Sequence, residues 1–206
     1  VSVLSNPEFD SSLLRFDYSS LITPNTIVDC HMDTGEWEIK KVDEVPSGYD
    51  KSQYACERIH ATAPDGTQVP ISLAYRKDIK RDGSNPALMY GYGAYGATID
   101  AYFAAFRISL LERGFVFAIG HIRGGSDLGR AWYESGRMLN KKNSFTDFIA
   151  CAEHLIKEGF TSNKKLAILG GSAGGLLVSA CLTMRPDLFQ AVINKVAFVD
   201  VVTTMS

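Results

Sequence analysis

The sequence has little net charge and no long apolar run. Its 206 residues carry 21 lysines and arginines against 23 aspartates and glutamates, a net charge of −2. A chain with so balanced a charge offers no basic surface for nucleic acid, so we expect no nucleic-acid partner. No apolar run approaches the roughly 18 residues that span a bilayer, and no signal peptide follows Val1. We therefore expect no membrane partner either.

Cysteine is scarce as well, with four residues that lie far apart in the chain: Cys30, Cys56, Cys151 and Cys181. No C-x-x-C spacing is present, which argues against a zinc site or a redox centre. We expect no metal site. Scattered cysteines are typical of reduced, buried thiols, so the sequence favours a cytoplasmic protein.

One short stretch carries more functional information than the rest: Gly170, Gly171, Ser172, Ala173 and Gly174. The apolar residues 166–169 before it predict a buried strand, and residues 173–184 after it predict a helix. A strand, a G-x-S-x-G turn and a helix form the nucleophile elbow of α/β-hydrolases, with Ser172 as the nucleophile. The glycines would leave space for a tight turn. The alternative is a glycine-rich turn without catalytic function.

No histidine follows Ser172. In α/β-hydrolases the serine is followed along the chain by an acid and then by a histidine. All four histidines come earlier: His31, His60, His121 and His154. We therefore expect an incomplete hydrolase whose carboxyl-terminal part is missing. His121 is expected to be structural, His154 to be solvated, and Asp200 to be a turn or capping residue.

Two compositional regions divide the chain near residue 50. Residues 1–50 predict short strands at 15–20, 25–30 and 36–40, which fit a β-propeller blade or the edge of a sandwich. Later segments alternate between strands and helices, which predicts a parallel α/β sheet. The predicted strands are 58–63, 69–75, 86–90, 115–119, 166–169 and 191–199. The predicted helices are 102–112, 145–157 with Ser144 as its cap, and 173–184.

Glycine-rich segments follow two of these strands, where ligands bind in α/β sheets. The loop 90–96 is placed to supply one donor of an oxyanion hole, and the amide of Ala173 the other. Tyr92 is the leading side-chain donor, although its loop also fits simple aromatic packing. Arg123 is expected to brace the site through a buried ion pair rather than to hold a substrate carboxylate.

Several motifs in order resemble the prolyl oligopeptidase family of serine peptidases. They occupy residues 90–96, 122–125, 129–133, 141–148, 170–177 and 185–189. Residues 199–205, together with 18–20, 23–24 and 32–35, resemble the oligopeptidase B branch of that family.

This resemblance implies a fold and a reaction. Residues 1–50 would be terminal strands of a β-propeller, and residues 51–206 the amino-terminal portion of an α/β-hydrolase domain. Ser172 would be the nucleophile, with Tyr92 and Ala173 forming the oxyanion hole. The activity implied is cleavage of short peptides after Arg or Lys without a cofactor, using an Asp and a His beyond this chain. An acylaminoacyl-peptidase, an esterase and a non-catalytic binding protein remain alternatives.

Overall fold

The computed structural model describes residues 1–46, 48–200 and 202–203, and within these residues the strands form two sheets. The first sheet is antiparallel, with its four strands adjacent in chain order. Its strands are β1 (Ser2–Val3), β2 (Leu13–Ser20), β3 (Thr23–His31) and β4 (Trp37–Val42). The three strands predicted here are confirmed within two residues at each end, whereas β1 was not predicted.

The second sheet has six strands in the order β10-β9-β7-β8-β6-β5. Strands β7 to β10 run parallel, and β5 and β6 form an antiparallel hairpin at one side. The strands are β5 (Tyr54–Thr62), β6 (Gln68–Arg76), β7 (Ala87–Tyr90), β8 (Val116–Gly120), β9 (Leu166–Gly171) and β10 (Ala191–Lys195). The carboxyl ends of β7, β8 and β9 therefore lie along one edge of the sheet.

Four α-helices connect these strands in the described residues: α1 (Ala105–Glu112), α2 (Arg130–Glu134), α3 (Lys142–Lys157) and α4 (Ala173–Met184). Helix α4 has the predicted bounds. Helix α1 begins three residues later than predicted. Helix α2 was not predicted.

Two expectations about element ends are wrong. Ser144 does not cap α3, because the helix begins at Lys142 and the Ser144 hydroxyl is buried among backbone carbonyl groups. The last strand ends at Lys195 instead of residue 199, since Val196 has a φ of 47° and the chain turns away from the sheet there. In contrast, Gly159, at φ 72°, follows the end of α3 as expected of a left-handed stop residue.

The two faces of the second sheet pack against different elements. Helices α3 and α4 bury Phe148 and Leu177 against Met89 and Ile168 of the sheet. On the other face, α1 packs against Phe117 of β8. Leu21 and Ile22, in the turn between β2 and β3 of the first sheet, pack into the same apolar cluster. The amide of Phe103 donates to Ser19 Oγ at 2.9 Å, which ties the first sheet to the segment before α1.

All four cysteines are free. Burial raises the pKa of the Cys181 thiol to about 12, and it raises that of Cys151 well above its usual value. The expectation of buried thiols is wrong for Cys56, which is exposed because β5 is an edge strand whose alternate residues face outward. Cys30 is half-buried. In the described residues, no helix has the length and apolar character needed to cross a membrane.

Candidate active site

Ser172 lies between β9 and α4 in a strained backbone conformation. Its φ is 55° and its ψ −119°, and a non-glycine residue rarely adopts a positive φ. Hydrogen bonds hold this turn on both sides: the Ser172 amide donates to the Lys195 carbonyl at 3.0 Å, and its own carbonyl accepts from the Phe198 amide at 3.1 Å. The serine side chain is exposed at the amino-terminal end of α4.

Glycines are required on both sides of the serine. A Cβ atom at Gly170 would lie 1.9 Å from the Gly174 carbonyl oxygen, and one at Gly174 would lie 2.8 Å from the Gly91 carbonyl oxygen. At Gly171 the nearest atom, the Lys195 carbonyl oxygen, is 3.4 Å away. The expected steric role is therefore confirmed for Gly170 and Gly174, whereas Gly171 has room for a methyl group.

The loop after β7 lies against the start of α4. A Cβ atom at Gly174 would be 3.3 Å from Cδ2 of Tyr92. The tyrosine ring therefore packs against α4 at Gly174, two residues after Ser172. Ala173 is the first residue of α4, and the first amides of a helix have no acceptor within the helix. The fold thus brings together the serine, the Ala173 amide and the Tyr92 loop that the sequence marked separately.

Arg123 forms the buried ion pair expected of it. Its Nε and Nη2 donate to the two carboxylate oxygens of Asp147 at 2.9 and 2.6 Å, and its amide donates to Oδ2 at 3.0 Å. Its Nη1 donates to Asp65 Oδ2 at 2.6 Å. The hydrogen bond with Arg123 lowers the pKa of Asp65 to about 2, and that with Asp147 raises the pKa of Arg123. Arg123 thereby joins the β5–β6 turn to α3.

Two further residues, Lys141 and Ser144, lie at this site, although the sequence indicated no role in it for either of them. The Lys141 ammonium donates to the Gly93 carbonyl at 2.5 Å and to Ser144 Oγ at 3.3 Å. Ser144 Oγ donates to the Arg123 carbonyl at 2.6 Å. Burial lowers the pKa of Lys141. The motif at residues 141–148 drew attention to this segment but indicated no partner 48 residues away.

His121 occupies the structural position expected of it. It is 3 % exposed, with Nε2 2.8 Å from Ser72 Oγ and Nδ1 2.9 Å from Asp127 Oδ1. Asp200 accepts a hydrogen bond from the Thr203 amide, as expected of a turn residue. His154 is half-buried on α3 rather than fully solvated.

A cleft of about 310 Å³ opens beside Ala173. Most of its lining is apolar, and two cationic side chains, Arg137 and Lys141, also line it. The side chains Tyr95, Met138, Leu176 and Phe198 form much of the wall.

Comparisons with known proteins agree with this architecture. The chain is 48% identical over 202 residues to dipeptidyl aminopeptidase BI of Pseudoxanthomonas mexicana, covering 98% of this chain and 28% of that protein. It is 46% identical over 205 residues to Protease 2 of Moraxella lacunata, covering 100% of this chain and 30% of that protein.

A solved structure of oligopeptidase B from Trypanosoma brucei, in its closed form with covalently bound antipain, superimposes with a TM-score of 0.86. It is 49% identical, and the match covers 96% of this chain and 28% of that one. The chain thus spans less than a third of the length of these relatives. The expected fold class is confirmed: part of an α/β-hydrolase preceded by the end of a β-propeller.

Residues 101–206, just over half of the chain, match the prolyl oligopeptidase family, and they include the whole turn around Ser172. The chain belongs to the prolyl oligopeptidase family.

Proposed function

We propose that this chain is part of a serine peptidase that hydrolyses short peptides, with Ser172 as the nucleophile. The observation that carries the proposal is the backbone of Ser172, held at a φ of 55° between β9 and α4 by close glycine contacts and by hydrogen bonds. Such strain persists only where the surrounding structure imposes it, and it concentrates at functional sites. The turn exposes the hydroxyl at the positive end of the α4 dipole.

The proposed oxyanion hole combines the Ala173 amide with the Tyr92 hydroxyl. Ser172 Oγ attacks the scissile carbonyl carbon while a base removes the hydroxyl proton, and the carbonyl oxygen becomes an oxyanion. Donors aimed at that oxygen stabilise the transition state. The base then protonates the leaving amine, and water hydrolyses the acyl-enzyme to regenerate Ser172. No metal or organic cofactor takes part in these steps.

The base and its acid partner are proposed to come from the remainder of the full-length protein. Both nitrogens of His121 are already hydrogen-bonded. His60 lies on β5, four strands from β9, which is about 19 Å at the usual strand spacing. His154 lies in the last turn of α3, about 20 Å along the helix from Lys141. His31 belongs to the first sheet.

Cleavage after Arg or Lys is the proposed specificity, and it rests on the resemblance to oligopeptidase B. Residues 1–50 are proposed as terminal propeller strands beside a hydrolase domain that begins near residue 51. Four free cysteines support a cytoplasmic location.

The test uses the full-length protein and its Ser172→Ala variant. We expect a fluorophosphonate probe to label the wild type at Ser172 and to leave the variant unlabelled. A panel then compares blocked arginyl peptides, free-amine dipeptide amides, acetyl-amino-acid amides and short esters. Fastest turnover of blocked arginyl peptides supports an endopeptidase with basic specificity. Faster turnover of another substrate class would assign that specificity instead. Absence of fluorophosphonate labelling would refute Ser172 as the nucleophile.

A further inference from the structure

Lys141 carries an ammonium group that is partly removed from water just before α3. Its Nζ donates to the Gly93 carbonyl oxygen at 2.5 Å and to Ser144 Oγ at 3.3 Å. None of the ion pairs found in the described residues includes it. Holding a cation without a carboxylate has a desolvation cost, which is seen in the lowered pKa of Lys141. The ammonium group also lies 5.9 Å from the centroid of the Phe145 ring.

The carbonyl that Lys141 binds belongs to a closely packed part of the loop after β7. Gly93 has a φ of 63°, and a Cβ atom there would lie 2.5 Å from Ile122 Cδ1. A Cβ atom at Gly124, in the same loop after β8, would lie 2.2 Å from the Gly93 oxygen. The Gly93 peptide is thus packed closely against the loop after β8, and Lys141 supplies a donor to its oxygen.

Ser144 extends this contact into a small network. Its hydroxyl lies 2.6 Å from the Arg123 carbonyl and 3.4 Å from the Gly93 carbonyl. The start of α3 therefore binds two loops at once, the one after β7 and the one after β8. Since the backbone of Gly93 follows Tyr92 directly, a shift of the Gly93 peptide would also move the tyrosine ring.

We infer that Lys141 is a positioning residue that holds the Tyr92 hydroxyl in the oxyanion hole by fixing the Gly93 carbonyl. This inference rests on the proposed function. Lys141 does not bind the reacting carbonyl in this role, and it acts only through the loop. Misplacement of a catalytic group by about 1 Å can lower the rate about 100-fold. Loss of Lys141 would therefore lower kcat and leave KM nearly unchanged.

A competing role is direct binding of substrate, because Lys141 also lines the cleft beside Ala173. In that role, its loss would raise KM with kcat retained. A merely structural role would lower the melting temperature and the amount of active enzyme without any dependence on Tyr92.

The experiment uses the full-length enzyme with the substitutions Lys141→Met, Lys141→Arg, Tyr92→Phe and the double substitution of Lys141→Met with Tyr92→Phe. Lys142→Met is the matched control, since Lys142 is the exposed next residue. For each protein, kcat and KM for a blocked peptide amide are measured, together with the melting temperature. Lys141→Gln replaces the methionine variant if that one does not fold.

We expect Lys141→Met to lower kcat at least about 10-fold with KM changed less than about 2-fold. Lys141→Arg, which keeps a donor, should recover most of that loss, and Lys142→Met should match the wild type. The double variant should be little slower than Tyr92→Phe alone, because both substitutions remove the same contribution. Losses that multiply in the double variant, an effect on KM alone, or an unchanged kcat would each overturn the inference.

Failure of the proposed function would look different. If the wild-type enzyme neither cleaves peptides nor reacts with a fluorophosphonate at Ser172, both the proposed function and the inference are refuted. If the wild type is fully active and its Lys141→Met variant is equally active, only the inference about Lys141 is refuted.

Discussion

Arg123 and Asp147 form an ion pair that lies almost entirely out of water. The side chain of Arg123 is 7% exposed and that of Asp147 0%, and the guanidinium donates to both carboxylate oxygens at 2.9 and 2.6 Å. One residue follows β8 and the other lies in α3, 24 positions further along the chain. The pair therefore fixes the loop after β8 to the helix whose first turn contacts the Tyr92 loop.

Removing one partner of this pair should destabilise the protein strongly. Asp147→Asn removes the buried counterion of Arg123 and leaves only the half-exposed Asp65 carboxylate on its outer side. Breaking a buried pair in this way costs about 3–5 kcal/mol. Denaturant unfolding of the full-length protein measures the change in the free energy of unfolding. Asp187→Asn is the control: it breaks the exposed pair with Arg185 and should cost less than about 1 kcal/mol. Equal effects of the two substitutions would contradict the prediction.

The bond between Asp65 and Arg123 predicts a specific pH dependence. The pKa of Asp65 is lowered to about 2 in the folded protein, chiefly by the hydrogen bond from Arg123. A lowered folded pKa means a stabilising contribution that is complete above the unfolded pKa of about 3.9 and is lost as pH falls through the folded pKa. The stability difference between wild type and Asp65→Asn should stay constant from pH 7 to about 5 and decrease only below about pH 4.

Denaturant unfolding of both proteins at intervals between pH 7 and 3 measures this difference. A difference that already decreases between pH 7 and 5 would show that another group is responsible.

Alanine at Gly170 should prevent formation of the serine turn. The added methyl group would lie 1.9 Å from a backbone oxygen, which cannot move without displacing α4. We expect Gly170→Ala to destabilise the full-length protein by about 3 kcal/mol and to abolish fluorophosphonate labelling. Gly171→Ala is the matched control, since its methyl group meets its nearest neighbour at 3.4 Å. Labelling of Gly170→Ala at the wild-type rate would refute the steric argument.

The hydroxyl of Tyr92 should affect the chemical step far more than substrate binding. Removal of one oxyanion donor typically lowers kcat about 100- to 1,000-fold. We therefore expect Tyr92→Phe to lower kcat by that factor with little change in KM or in melting temperature. Tyr102→Phe, at an exposed tyrosine, serves as the control and should leave both kinetic constants unchanged. If Tyr92→Phe keeps wild-type kcat, the second donor lies elsewhere.

Local patterns in the sequence determined most of the fold and the centre of the candidate site. The strand, turn and helix around Ser172 were predicted because apolar runs and glycine positions are properties of neighbouring residues. Helix α4 has the predicted bounds, and Gly170 and Gly174 make the contacts expected of them. The loop containing Tyr92 was placed at the correct edge of the sheet, since loops after parallel strands meet there.

Tertiary structure alone decided which residues contact that centre. Arg123 reaches Asp65 across 58 positions and Lys141 reaches Gly93 across 48, and no local pattern encodes such partners. The position of Ser144 in the sequence suggested a helix cap. Its hydroxyl instead donates to the carbonyl of Arg123, a residue of another segment. Periodicity and turn chemistry act over a few residues, whereas hydrogen-bond partners are set by the way strands and helices pack.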